Sequence, residues 1–293
     1  MITLPAIAYV QKKYPADKLT LIGRPEYGAL LKTAGIVDEV LSWDRREFSG
    51  LFQEPTRADA ALARWLQGFH LALGWTHQAS GAGLEHSLRS LGQKNGHFIV
   101  HDPFSSLSLS EFFFQKTVAY FEGDFRPLFP FEKCARLLIL PNPGVAEQAS
   151  PSVIIHPGSG SVSKCWPLAD FLEIIHRLSA KKIRGVLVTG EAEERLKSEL
   201  GKTKLPRGWR WLASPPLAEL SRILAGSSLY LGNDSGITHL AAACGTTVVA
   251  LFRNDLKALW KPFGRTHIIS ADSLPQISPK TVWSTVSRLI DLP

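Results

Sequence analysis

Val153-Ile-Ile-His-Pro-Gly-Ser-Gly-Ser-Val-Ser-Lys-Cys-Trp-Pro167 reads as a short apolar strand, a Gly/Ser-rich turn and the opening of a helix. Tyr230-Leu-Gly-Asn-Asp-Ser-Gly-Ile-Thr-His-Leu-Ala-Ala-Ala-Cys-Gly-Thr-Thr-Val-Val-Ala-Leu-Phe252 repeats the plan. Turns of this kind at the carboxyl ends of parallel strands bind phosphorylated ligands, because free backbone N–H groups and a helix dipole meet there. In the first turn Gly158 and Gly160 let the backbone approach a ligand. Ser159, Ser161 and Ser163 offer hydroxyls, Lys164 offers a point charge, and Pro167 suits a first helical turn. In the second turn Asp234 and Ser235 stand at N-cap positions, the helix opens near Gly236, and His239 falls one turn in, near the face of Ser235. Capping and turn chemistry alone would use the same serines and the same aspartate. The two turns together, one with a lysine and one with Asp and His, point to a nucleotide-containing substrate.

Neither turn is a common fingerprint. From Gly158 the spacing to Lys164 fits a Walker A loop, but Ser163 replaces the glycine before the lysine and Cys165 the Mg²⁺-binding hydroxyl. G-x-G-x-x-G fails as well, since Ser163 occupies its third glycine, and no G-x-S-x-G elbow of a serine hydrolase is present.

Outward from these turns, strands alternate with helices. Strands are expected at Leu19–Ile22, Val37–Trp43, Phe69–Leu73 and His97–Val100, then at Val153–His156, Gly185–Thr189, Trp209–Leu212, Ser228–Leu231, Thr246–Leu251 and His267–Ile269. Helices are expected at Tyr27–Thr33, Arg57–Gln67, Ser108–Phe121, Leu168–Ala180, Glu191–Leu200, Leu217–Ala225, Gly236–Cys244 and Pro279–Ile290. This alternation predicts βαβ units and parallel sheets. Gly123–Ser152 interrupts it with five prolines, which places a boundary there between two α/β halves.

The 293 residues suffice for one large or two ordinary domains, and 45% hydrophobic with 20% charged residues is the composition of a chain that buries a core. No stretch reaches the roughly 18 to 20 apolar residues of a membrane span, and the start lacks the features of a signal peptide. Cys134, Cys165 and Cys244 are few and far apart, which fits a cytoplasmic protein without disulfides or a zinc site. The net charge of +7 suits an anionic substrate or an anionic membrane surface, or is only solubilising. Scattered basic residues without an RNA-binding signature argue against nucleic acid.

The motifs H-P-G-S-G-S-x-x-K-x-W-P and G-N-D-S-G-x-x-H-L-A-A-A-x-G, with Val188-Thr-Gly-Glu-Ala-Glu-Glu194 in support, resemble the bacterial heptosyltransferases of lipopolysaccharide core synthesis, glycosyltransferase family 9. The resemblance covers most of the chain. It implies a GT-B fold, two Rossmann-like domains facing a cleft. Residues 1–140 would form the acceptor-side domain, 151–275 the nucleotide-sugar-binding domain and 276–293 a C-terminal helix. Carried over by position, Ser159, Ser161 and Lys164 would hold the diphosphate. Asp234, Ser235, Gly236 and His239 would line the sugar-diphosphate pocket, and Glu194 or Glu191 would bond the ribose hydroxyls. The implied reaction moves a heptose from ADP-heptose to a lipopolysaccharide core acceptor, with inversion and without a metal or other cofactor. Such a protein is cytoplasmic, with peripheral contact at the inner membrane. No D-x-D carboxylate pair precedes the sugar site.

In the family a strand and a G-D turn precede a T-L-P-A-like stretch, which Thr3-Leu-Pro-Ala6 matches. The aspartate expected as general base would therefore lie before Met1, and the catalytic residue is unknown in this sequence. Either the start is clipped or misassigned, or the chain is a paralogue that binds nucleotide sugar with impaired turnover. Loss of the base would cost roughly 10²–10⁴-fold. The remaining alternative is another GT-B enzyme, an epimerase or a transferase with a UDP- or GDP-sugar. Trp43, Trp65 and Trp75 could stack on sugar, although core packing is the more ordinary use of each.

Overall fold

The computed structural model describes residues 1–51, 60–76, 81–100, 102, 105–124, 126–134, 152–191 and 193–290. The chain divides into two compact units, Pro5–Cys134 and Met1–Leu4 with Ala135–Pro293.

The first unit carries α1 (Leu4–Lys13), β1 (Thr20–Gly23), α2 (Pro25–Thr33), β2 (Glu39–Ser42), α3 (Ala60–Gln67), β3 (Ala72–Thr76), α4 (Gly81–Ser90), β4 (Gly96–Val100), α5 (Leu109–Glu122) and α6 (Phe131–Cys134). Its strands form two parallel pairs, β1 with β2 and β3 with β4. Helix α5 starts where Ser108 accepts from the Glu111 N–H and stops where Gly123 turns left-handed at φ 76°, the conformation glycine adopts without strain. β3 begins three residues later than the expected strand Phe69–Leu73. Phe69 is spent on the end of α3, where its N–H bonds the Leu66 carbonyl and its carbonyl accepts from the Gln93 side-chain amide Nε2. Helix α4 was not expected, since Gly81 and Gly83 lower helix propensity and read as loop. The expected start of α3 at Arg57 and most of the proposed linker lie outside the described residues.

The second unit holds β5 (Ser152–His156), α7 (Leu168–Ala180), β6 (Arg184–Thr189), α8 (Glu194–Leu200), β7 (Trp209–Ala213), α9 (Leu217–Ala225), β8 (Leu229–Asn233), α10 (Gly236–Ala243), β9 (Thr247–Arg253), α11 (Lys257–Trp260), β10 (Thr266–Ala271) and α12 (Pro279–Leu289). Its six strands are all parallel, in the order β10-β9-β8-β5-β6-β7. Val153–Ile155, Leu229–Leu231 and Val248–Phe252 are fully buried, as a parallel sheet covered on both faces requires. Helix α7 buries Phe171, Ile174, Ile175 and Leu178 at helical spacing. Val282 and Val286 of α12 join the same core, so the final helix is part of this unit.

The order of these strands decides where a site can form. From β5 the chain runs outward through β6 and β7, then returns to lay β8 on the other side of β5. The reversal falls between β5 and β8, where diverging connections leave a crevice at the carboxyl ends. Both Gly/Ser-rich turns leave the sheet there, with His156 opposite Gly232.

Candidate functional site

After β5 the chain passes Pro157–Ser161, makes one 3-10 turn at Val162–Lys164 and enters α7 through Trp166 and Pro167. After β8 it passes Asp234 and enters α10 with Ser235 as N-cap, whose hydroxyl accepts from the Thr238 N–H at 3.3 Å. The buried side chain of Asn233 stitches the two turns together. Its Oδ1 accepts from the Trp166 N–H at 3.0 Å and its Nδ2 donates to the Pro157 carbonyl at 2.8 Å. Trp166 is anchored in turn by donating its indole N–H to the Ile277 carbonyl and packing edge-on against Phe171.

Lys164 Nζ bonds Asp234 Oδ2 at 2.8 Å across the gap between the turns. Asp234 is therefore an ion-pair partner, and the cap role falls to Ser235. The Ser159 hydroxyl donates to the Asp234 carbonyl at 2.7 Å, while Ser161 and Ser163 bond each other at the surface. Gly236 is the exposed first residue of α10, so its N–H lies at the positive end of the helix dipole. Trp260 of α11 lies near the same place, its ring centroid 6.0 Å from Lys164 Nζ.

His239 is buried, and its Nδ1 has no partner among the described residues. Burial, more than any charge, holds its pKa down at about 4, so the ring is neutral near pH 7.

The acidic residue brought to the site is Glu193. The Glu194 side chain is 80% exposed and pairs with Lys197, and Glu191 is exposed. Glu193 instead bends back so that its Oε2 accepts from the Gly190 N–H at 2.8 Å, which delays α8 to Glu194, three residues after the expected start. Its Oε1 lies 3.2 Å from His156 Nε2, off the line of a straight hydrogen bond. Burial pushes the Glu193 carboxyl up, but His156, the Gly190 N–H and Lys197 outweigh it and hold the group below its ordinary range. The sequence signal for Glu193 was the acidic run after Gly190; which of its members points inward depends on where α8 begins.

Of the tryptophans in the first unit, Trp65 packs against Phe48 and Phe69, Trp75 donates to the Thr117 hydroxyl, and Trp43 is about half exposed. Among the described residues no helix is long and apolar enough to cross a membrane.

Residues 86–282 match glycosyltransferase family 9 (heptosyltransferase). Over 119 residues the chain is 28% identical to lipopolysaccharide heptosyltransferase 3 of Escherichia coli, a match covering 40% of this chain and 35% of that protein. Over 133 residues it is 27% identical to lipopolysaccharide heptosyltransferase 1 of Pseudomonas aeruginosa, covering 44% and 36%. The chain thus matches these curated relatives over little more than a third of their length. A solved glycosyl transferase family 9 structure from Veillonella parvula matches with a TM-score of 0.76 at 14% identity, over 99% of this chain and 92% of that one. An E. coli heptosyltransferase solved with ADP matches with a TM-score of 0.70 at 20% identity, over 98% and 95%. The fold is shared with these proteins, and the GT-B expectation holds.

Proposed function

Because the chain belongs to glycosyltransferase family 9, we propose that it transfers a heptose, or a related sugar, from an ADP-sugar to a lipopolysaccharide core acceptor. The observation that carries this reading is the Lys164–Asp234 pair, set between two strand-end turns at the switch point of the parallel sheet. A diphosphate arriving there meets the Lys164 ammonium, the hydroxyls of Ser159 and Ser161 and the N-terminus of α10. Asp234, Ser235, Gly236 and His239 then lie along the sugar-diphosphate. Neutral His239 adds no second cation to it.

For the ribose we assign Glu193 in place of Glu194 or Glu191, since it alone of the three is largely buried beside the first turn. A carboxylate held ionised accepts two hydrogen bonds from a vicinal diol. The net charge of +7 suits an anionic acceptor. The proposed displacement is inverting and uses no metal.

Thermal shift with ADP, UDP and GDP tests the donor, and transfer from ADP-heptose to a deacylated core acceptor in the presence of EDTA tests the reaction. Stabilisation by ADP with EDTA-resistant transfer is expected, the product having inverted anomeric configuration by NMR. Stabilisation by UDP or GDP in preference to ADP would overturn the donor assignment.

A further inference from the structure

His156, the last residue of β5, sits between the two turns at the sheet's carboxyl edge and is 2% exposed. Its Nδ1 lies 3.4 Å from Ser235 Oγ, and its Nε2 lies 3.2 Å from Glu193 Oε1. One ring thus touches a side chain following β8 and another following β6.

The Thr238 hydroxyl donates to the Asn233 carbonyl, so its oxygen is an acceptor toward its other neighbours. Buried Tyr230 donates to it at 3.0 Å. Ser235 Oγ accepts the Thr238 backbone N–H and lies between Thr238 Oγ1 at 3.1 Å and His156 Nδ1 at 3.4 Å. The ionised Glu193 carboxylate can only accept, so the ring proton facing it lies on Nε2, and Nδ1 is left as an acceptor toward the Ser235 hydroxyl. The other oxygen of that carboxylate is fixed by the Gly190 N–H. Tyr230, Thr238, Ser235, His156, Glu193 and Gly190 form one connected row across β8, β5 and β6. The charged groups nearest it are Glu193 itself, Lys197 on α8, and the Lys164–Asp234 pair beside Ser235.

We propose that His156 is a positioning residue of the nucleotide site, which orients the Glu193 carboxylate toward the ribose and locks it in register with Ser235 on the opposite turn. The inference rests on the nucleotide-sugar reading above. Among the described residues Nε2 is buried without a straight partner, and contacts of this kind tighten when a ligand arrives. His156 acts through Glu193, so its effect should follow the ribose and spare the diphosphate.

Calorimetric titration of the full chain with ADP and with inorganic pyrophosphate separates the two. Asn at position 156 reaches Ser235 but not Glu193, whereas Gln places an amide N–H near Nε2. H156N is expected to weaken ADP about tenfold, the scale of one hydrogen bond to a charged group, and to leave pyrophosphate within about twofold. H156Q should recover most of the loss. In an E193Q background H156N should change ADP affinity by less than about twofold, because coupled residues are non-additive. Independently of any variant, imidazole ¹⁵N shifts of the wild-type chain should show His156 as the Nε2–H tautomer, moved by ADP and not by pyrophosphate.

Equal losses for ADP and pyrophosphate, additive effects of H156N and E193Q, or an Nδ1–H tautomer would each overturn the role of His156 while leaving the donor site standing. A wild-type chain that binds none of ADP, UDP and GDP would overturn the donor reading, and this inference with it.

Discussion

Gly158 and Glu193 share one corner of the site: a Cβ added to Gly158 would overlap the Glu193 carboxylate. The glycine there is not needed for its backbone angles, since it is not among the residues with positive φ. It is needed for the space it leaves. The obstacle is the end of a flexible side chain, so Gly158→Ala should be cheap for the fold, within about 1 kcal/mol, yet expel the carboxylate. Nucleotide affinity should fall about tenfold, as for a lost charge-assisted hydrogen bond, with the melting temperature nearly unchanged. Calorimetry alongside thermal denaturation measures both, and unaltered ADP binding by G158A would remove Glu193 from the site.

Asn233 makes the opposite prediction, a loss of stability first. Asn233→Asp keeps the acceptor for the Trp166 N–H but turns an oxygen toward the Pro157 carbonyl and leaves a buried charge. The expected cost is about 3 kcal/mol or more. Urea denaturation should show a lower midpoint at an unchanged slope. A midpoint within error of wild type would mean that the turns are not held together by this side chain.

These two residues show what the sequence yields and what it withholds. Lys164, Asp234 and Ser235 stood out because apolar runs and Gly/Ser turns mark strand ends locally, and the strands of the second unit lie where the apolar runs put them. Glu193 and His156 did not stand out. The first depends on a helix starting at Glu194 rather than Glu191, which is set by the carboxylate bending back to Gly190. The second depends on β5 lying between β8 and β6, a matter of strand order that no local pattern encodes. The role of Asn233 is likewise invisible until the two turns, far apart in sequence, are adjacent.

The Lys164–Asp234 pair separates binding from folding. Lys164→Ala removes a charge-assisted contact to the diphosphate, worth about 1.5–3 kcal/mol of ADP binding. It also strips the partner from a carboxylate that is only 8% exposed, so a stability loss of about 1–3 kcal/mol should accompany it. Asp234→Ala, by contrast, leaves the Ser235 cap in place and should abolish transfer with a small change in melting temperature. If D234A melts far lower and still binds ADP normally once folded, the aspartate is structural.

His239 makes the pH-dependent prediction. Its pKa is held at about 4 in the folded chain, against about 6.5 when unfolded. Between those values the unfolded state binds the extra proton, so stability is full above pH 6.5 and falls as pH drops toward 4. At pH 4.5 this single group should cost about 2.5 kcal/mol. Paired carboxylates such as Glu193 add their own acid sensitivity, so the contribution of His239 is read as a difference between two proteins. His239→Gln removes the titrating ring, and the stability lost between pH 7 and pH 4.5 should shrink by that amount relative to wild type. Equal losses in the two proteins, measured by urea denaturation at each pH, would show that the ring is protonated in the folded state and that its burial does not keep it neutral.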